Sequence, residues 1–392
     1  MPGGGGDLGG VAGGRAEEGR GVTAVGAARK LPERALGLAG HLEAHGPLRF
    51  PPDREAFVAG LAAAGLVGRG GGGFPAHLKA ASVVGARVVV ANGCEGDPLS
   101  GKDRALLERA PHLVLDGLVV TAAAVGAPDA VVAAHDAPDG LLRALAERTG
   151  DPVPVRLVLV PGGYVASEES ALANFLLTGR ALPVVAPPRP AGRGVLVHNA
   201  ETLADVALVA RWGGDGYRER ATRLVTVAGD VREPGVREAP IGATAEQLVE
   251  LAGGGTEELS ALLVGGCGGR WVRPGATPVT GTAVVAALGA SACGVRETAR
   301  VLAWLAGEST GRCGPCRFGL PSIAEDFAAL SGSGGLSGSG APDGAAPGRL
   351  PLLAGRGACA HPDGAVRLAA SALEVFADEV RAHLAGGCGG AR

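Results

Sequence analysis

Aromatic side chains are few in this chain, with three Trp, two Tyr and seven Phe among 392 residues, and there is a single Met. No uninterrupted apolar run reaches the roughly 18 residues that a membrane-crossing helix needs. The longest candidates, such as "GLVVTAAAVGAP" (117–128), are cut by Gly and Pro. Direct membrane insertion is therefore not expected. Excess charge of one sign is missing too: the net charge of -3 offers no electrostatic foothold for a polyanion, so no nucleic acid partner is expected. The start, "MPGGGGDLGGVAGGRAEEGRG", has no apolar segment behind a basic one, which argues against a secretory leader and makes the cytoplasm the expected compartment. The seven cysteines, at 94, 267, 293, 313, 316, 359 and 388, are odd in number and dispersed. They read as reduced thiols or metal ligands rather than a disulfide framework.

The scarce residues carry information because 69 Gly and abundant Ala and Arg suggest that easy substitutions were made wherever chemistry allowed. Lys survives only at 30, 79 and 102, Asn only at 92, 174 and 199, and Tyr only at 164 and 217.

Residues 1–22 and 331–348 are rich in Gly, Ser, Pro and Ala and cannot bury enough apolar surface to offset the entropy of ordering. Both are expected to be disordered, the first as a tail and the second as a linker. Between them the β-branched runs "ARVVVAN", "DAVVAAH", "VRLVLVPGG" and "GVLVHN" alternate with helical stretches at 103–125, 138–149 and 167–178. That alternation predicts an α/β domain over 23–220. "TRLVTVAGDVREPGVREAP" predicts two strands around a Pro-Gly turn, and Thr244-x-x-Gln247 a capping box, giving a small β-rich module over 221–290. A helical unit is expected over 291–392, ending in "VRLAASALEVFADEVRAHLAG", whose apolar residues recur at helical spacing.

Four loops hold most of the chemistry. In "GRGGGGFPAHLKAAS" (68–82) the glycines let backbone approach a phosphate or a planar ring, with Arg69 and Lys79 adding positive charge. "ANGCEGDPLSGKDR" (91–104) follows a strand, at the end of an α/β sheet where ligands bind; Asn92 can offer a donor and an acceptor, Glu95 and Asp97 acceptors. "PGGYVASEESALANFL" (161–176) places Ser167 as an N-cap with Glu168 and Glu169 in the first turn. "VLVHNAETLADV" (195–206) ends a strand on His198 and Asn199. Each stretch alone also reads as an ordinary turn, helix start or structural histidine. Together they hold Asn92, Asn199, Lys79, Lys102 and Tyr164, which favours one site built from four loops.

"GESTGRCGPCRFG" (307–319) contains Cys313-x-x-Cys316. A redox dithiol is least favoured because no βαβ pattern leads into it. Zinc would need Cys359 with His361 or Cys293. An iron–sulfur cluster uses mainly thiolates, and Pro315 suits its turn. Two buried thiols without a metal remain the plain alternative.

In this order the motifs resemble the NADH-oxidising flavin subunit of respiratory complex I and its relatives in NAD-linked hydrogenases and formate dehydrogenases. The family's "GRGGAGFPTGLKW" is answered by "GRGGGGFPAHLKA", its "NADEGEPGTFKDR" by "NGCEGDPLSGKDR", its "GAYICGEETAL" by "GGYVASEESAL", and its "VNNVETL" by "VHNAETL". "LVTVAGDVREPGV" resembles its soluble-ligand-binding β-grasp module, and "ESCGxCxPCRxG" becomes "ESTGRCGPCRFG". The resemblance implies a Rossmann-like FMN domain, a β-grasp module and a helical bundle carrying an iron–sulfur site. It implies FMN held by Gly68, Arg69, Gly70, Lys79, Asn92, Asn199 and Thr202, and a flavin and nicotinamide pocket lined by Glu95, Tyr164, Glu168 and Glu169. Cys313, Cys316 and Cys359 match three of four ligands of a 4Fe-4S cluster.

The implied function is electron transfer from NAD(H) through FMN and the cluster to a ferredoxin-like or other iron–sulfur subunit, with membrane association only through a complex. The chain departs from the pattern at Thr310, which replaces the first cluster cysteine and implies an incomplete, 3Fe-4S or site-differentiated cluster. It departs also at Cys94, Asp97 and His198, and at Ala80 and Ser82, where the family has aromatics. The contrasting expectation is a non-catalytic docking or assembly homologue that has lost NADH binding or a complete cluster.

Overall fold

Four β-branched runs pair into a parallel sheet: β1 (Val88–Asn92), β2 (Asp129–Ala134), β3 (Val155–Leu159) and β4 (Val195–Asn199), in the order β3-β2-β1-β4. The computed structural model describes residues 29–83, 85–184, 189–279, 281–332 and 345–388. The central strands β1 and β2 and the edge strand β4 are all covered on both faces, which is why they read as nearly continuous apolar runs: Val89, Val90, Val131, Val132, Val195 and Leu196 are fully buried. From β1 the chain builds β2 and β3 on one side, then returns to lay β4 on the other. The carboxyl ends of β1 and β4 therefore flank the switch point where open α/β sheets bind ligands. The register pairs Asn92 directly with Asn199 there, so two of the three asparagines end adjacent strands side by side.

The stretch expected as one helix over 103–125 is two, Lys102–Arg109 and Pro111–Val125, because Pro111 opens the second and cannot continue the first. Helix Pro111–Val125 is apolar and buried over nearly its whole length. It packs against helix Ala200–Arg220 with Gly117 over Leu203, so closely that an added Cβ would stand 1.8 Å from the Leu203 carbonyl oxygen. Gly117→Ala is expected to force the two helices apart and cost about 1–3 kcal/mol, read as a lower urea midpoint at unchanged m-value.

The second sheet, in the order β6-β5-β9-β7-β8, joins β5 (Thr222–Gly229), β6 (Gly235–Pro240), β7 (Leu259–Val264), β8 (Arg270–Val272) and β9 (Val284–Gly289). β5 and β6 are antiparallel across the 230–234 connection, which ends on Pro234, while β5 and β9 run parallel. Helix Ala245–Leu251 starts on the expected reciprocal cap between Thr244 and Gln247. The chain ends in helices Gly294–Gly307, Leu320–Leu330, Ala345–Leu353, His361–Val375 and Ala377–Leu384. The terminal stretch is thus two helices, broken at Phe376, whose ring turns edge-on to Trp271 at 5.2 Å. The tail expected over 1–22 and most of the linker expected over 331–348 lie outside the described residues; the linker's last residues, from Ala345, belong to a helix.

Candidate functional site

A cavity of about 780 Å³ opens at the carboxyl ends of β1 and β4, within the size range of cofactor pockets. The four chemistry-bearing loops line it: Gly68, Arg69, Gly70, Lys79, Asn92, Glu95, Tyr164, Glu168, Glu169, Asn199 and Thr202 all contribute to its wall. Cys359 lines it as well; Cys313 and Cys316 do not.

The glycine loop is shaped for close approach. Gly71 and Gly73 have positive φ, at 99° and 60°, which a side chain would strain. Gly70 lies against Asn199, where an added Cβ would come within 3.4 Å of the asparagine Cβ. The loop is pinned by the Arg69 backbone N–H, which donates to Thr202 Oγ1 at 2.9 Å. The Arg69 guanidinium is committed elsewhere, to Asp205 at 2.8 Å and the Tyr217 hydroxyl at 2.9 Å. Arg69 therefore anchors the loop through its side chain rather than offering a bare charge to a ligand.

Arg270 and Arg367 bring positive charge to the cavity wall beside the 265–269 segment, and two lysines bring it to the side of the glycine loop. Lys79 pairs with Glu169 at 2.6 Å. Lys102, whose scarcity marked it without assigning it a role, is buried and reaches Asp103 at 2.7 Å, the Asn199 Oδ1 at 3.0 Å and Glu201 at 3.2 Å. Burial opposes its charge, but Asp103 and Glu201 outweigh burial and keep it protonated. Asn199 in turn donates to Asp103 at 2.7 Å and accepts from the Glu201 N–H at 3.1 Å. Asn92 donates to the Ser167 carbonyl at 2.9 Å and accepts from the Cys94 N–H at 3.0 Å, so its carboxamide ties two loops together.

Glu95 accepts from the Ser100 hydroxyl at 2.6 Å and the Arg104 N–H at 2.9 Å. The N-cap of the next helix is Glu168, not Ser167: the Glu168 carboxylate accepts from the Ser170 and Ala171 N–H groups at 2.9 and 3.0 Å, and the helix runs Glu169–Thr178. Ser167 instead closes the preceding tight turn, donating to the Tyr164 carbonyl at 2.8 Å. With the Ser167 hydroxyl committed to that turn, the Glu168 carboxylate takes the cap, and its negative charge is favourable at the helix N-terminus.

One wall has no forerunner in the sequence reading. The turn between β7 and β8, "GGCGG" at 265–269, closes over Tyr164 and Asp97. Asp97 accepts from the Cys267 N–H at 2.7 Å, and an added Cβ on Gly268 would stand 2.7 Å from the Tyr164 hydroxyl. Its only signal was a run of glycines in a chain full of them. Phe74 borders the cavity, whereas Ala80 and Ser82, where the family has aromatics, lie elsewhere: Ala80 is fully buried in the core and Ser82 folds back on the Lys79 carbonyl.

His198, at the end of β4, is buried, and its Nε2 finds no hydrogen-bond partner among the described residues. Burial and then the Lys79 charge hold its pKa down to about 3. In the unfolded chain the imidazole takes up a proton near its ordinary 6.5, and the folded chain refuses that proton until about 3. Stability therefore falls as pH drops through this window. His198→Asn removes the effect, so its stability is expected to decline less steeply, by up to about 1.4 kcal/mol per pH unit. Urea midpoints between pH 6.5 and 4.5 test this; parallel slopes for both proteins would refute it.

Tyr164 links the cavity to the cysteines. Its N–H donates to Glu308 at 2.8 Å, and its ring stands edge-on to Trp304 at 5.4 Å and to His361 at 5.0 Å. The thiols of Cys313, Cys316 and Cys359 lie close enough to perturb one another. Burial first, then Cys313 and Cys359, push the Cys316 thiol up to about 12; burial, Glu168 and Cys313 push Cys359 up. Crowded thiols that resist ionisation alone are relieved by a bound cation, so this donor set fits an iron–sulfur cluster. Thr310 borders a second hollow of about 490 Å³ with Gly162, Gly163 and Val165. Cys293, weighed above as a remote ligand, lies instead against His383.

The flavin fits by the same test, since glycine backbone at positive φ and a buried ammonium form a cradle for an anionic phosphate. Residues 61–208 match the family model of the Nuo51 FMN-binding domain, 224–270 that of the SLBB domain, and 296–383 that of the NADH-ubiquinone oxidoreductase-F iron-sulfur binding region. The fold and site thus define a flavin and iron–sulfur oxidoreductase subunit of the electron-transfer class.

Among its relatives is the F-type subunit of the NADH-quinone oxidoreductase of Escherichia coli, 31% identical over 377 residues and covering 82% of each chain. An F-type subunit of the Rhizobium meliloti NADH-quinone oxidoreductase is 30% identical over 81% of this chain and 86% of its own. The alpha subunit of the NAD-reducing hydrogenase HoxS of Cupriavidus necator is 33% identical over 53% of this chain and 39% of its own. The solved NAD+-reducing NiFe-hydrogenase in the air-oxidized state superposes with a TM-score of 0.77 at 26% identity, over 88% of this chain and 64% of that one. This chain therefore spans just under two thirds of the hydrogenase chain. It belongs to the family of F-type NADH-quinone oxidoreductase subunits. These relatives are by name subunits of larger assemblies, and no helix among the described residues is long and apolar enough to cross a membrane.

Proposed function

We propose that this subunit oxidises NAD(H) at the cavity and delivers the electrons singly to a ferredoxin-like or other iron–sulfur subunit. Bound FMN supplies the change from two-electron to one-electron chemistry, and a cluster the one-electron exit. The observation that carries the reading is Cys359 in the cavity wall: the thiol grouped with Cys313 and Cys316 borders the space that the glycine loop and Lys102 shape for a flavin phosphate. On this reading the 70–73 backbone and Lys102 hold the phosphate, while Lys79 and Glu169 form a neutral pair at the cavity edge. Glu95, Tyr164 and Glu168 bound the region where the donor meets the flavin, and Phe74 covers its mouth.

Cys313, Cys316 and Cys359 hold iron, and Thr310 leaves the fourth position without a thiolate. Phe318, 68% exposed and two residues from Cys316, marks the face where the partner docks. The reading places the chain in the cytoplasm, at a membrane only through its complex.

Anaerobically purified protein is the test, with flavin, iron and labile sulfide quantified before NADH is added. Bound flavin whose visible band bleaches with NADH supports the proposal. Protein that holds no flavin after anaerobic reconstitution would instead be a docking homologue.

A further inference from the structure

We propose that Cys293, His383 and Cys388 form a second metal site, for a zinc-class cation, that fastens the C-terminal helix to the start of helix Gly294–Gly307. One donor atom from each of the three lies within 4.8 Å of the other two, and Cys293 Sγ is 3.2 Å from His383 Nε2. Tetrahedral zinc, with Zn–S of about 2.3 Å and Zn–N of about 2.0 Å, sets such donors roughly 3.6 Å apart, so the side chains need only small adjustments. Two thiolates and an imidazole suit zinc better than the hard oxygen-loving cations.

The surroundings favour a fastening role. Cys293 is buried at the N-terminal boundary of its helix, whereas Cys388 lies at the surface, leaving the fourth position to water. Glu379 braces the junction, its carboxylate accepting from the Gly294 N–H at 2.7 Å. The helix it belongs to, Ala377–Leu384, has eight residues and buries none of them fully. A helix that short is marginal by itself, and with little apolar surface to bury it draws its stability from an added link. None of these ligands belongs to the group Cys313, Cys316 and Cys359, so the two metal sites are separable by mutation.

The experiment uses the intact protein with its iron and flavin bound. Wild type, Cys388→Ser and His383→Ala are equilibrated anaerobically with Zn(II) under reductant, desalted, and analysed for zinc, iron and flavin. Wild type is expected to retain one zinc ion per chain and each variant to lose it, with iron and flavin unchanged in all three. Co(II) used instead of zinc is expected to give wild type, but not the variants, the visible bands of tetrahedral thiolate coordination. Limited proteolysis near the C-terminus is expected to quicken in the variants and in chelator-treated wild type. Wild type that retains no zinc, variants that retain as much as wild type, or a Cys388→Ser protein that loses iron together with zinc would each overturn the proposal.

Discussion

Lys102→Met is expected to destabilise the protein by about 3–5 kcal/mol and to abolish flavin retention. Methionine keeps most of the unbranched stem, so the change removes a charge from a packed site more than it opens a cavity. Of the two carboxylates beside the ammonium, Glu201 keeps Lys30 at 3.1 Å and the Leu224 N–H at 2.7 Å. Asp103 keeps only neutral hydrogen bonding, from Asn199 at 2.7 Å, and no second cation among the described residues lies within ion-pair distance of it. The cost therefore concentrates on Asp103, as an uncompensated buried charge. The double variant Lys102→Met/Asp103→Asn is expected to recover most of the stability, because it removes the orphaned charge with its partner.

Flavin content then separates two roles for the lysine. If the ammonium serves only to neutralise Asp103, the double variant regains flavin along with stability; if it holds an anionic phosphate, stability returns and flavin does not. The second outcome is expected, since Lys102 borders the cavity. A single variant that loses less than about 1 kcal/mol and keeps its flavin would remove Lys102 from the site.

The elements around this lysine were legible because their signals are local. The runs that became β1, β2 and β4 are apolar over consecutive residues, as parallel strands buried on both faces are, and the Thr244 and Gln247 cap needs only a three-residue spacing. Errors arose where a distant partner decides. Arg69 looks like ligand-facing charge until Asp205, far along the chain, turns its guanidinium inward. Ser167 and Glu168 are both competent caps, and the choice is made by the turn that Ser167 closes onto Tyr164. Lys102 stood out by rarity, but its meaning lies in Asn199 and Glu201 on another strand end and helix. The 265–269 turn was invisible because it works by lacking side chains, letting Tyr164 and Asp97 approach its backbone. The cavity's four loops could be found from scarce residues; its fifth wall had none to show.

Cys316→Ser is expected to abolish the reduced-cluster EPR signal while leaving flavin in place and still bleached by NADH. Cys316 is buried beside Cys313, and its carbonyl accepts from the Ser309 hydroxyl at 2.9 Å, so serine fits the same backbone. The substituted oxygen is harder and far less acidic than a thiol, and with three thiolates at most the site has none to spare. Separating flavin reduction from the cluster signal matters because Cys359 borders the cavity: a general collapse would take both, whereas loss of a ligand takes only the exit. Thr310→Cys runs the argument in the other direction. A fourth thiol three positions before Cys313 is expected to raise the iron retained after exposure to air, since the missing ligand is where a cluster first loses iron. An undiminished signal in Cys316→Ser would put the cluster on other residues, and iron content unmoved by Thr310→Cys would mean that the fourth position is closed to this loop.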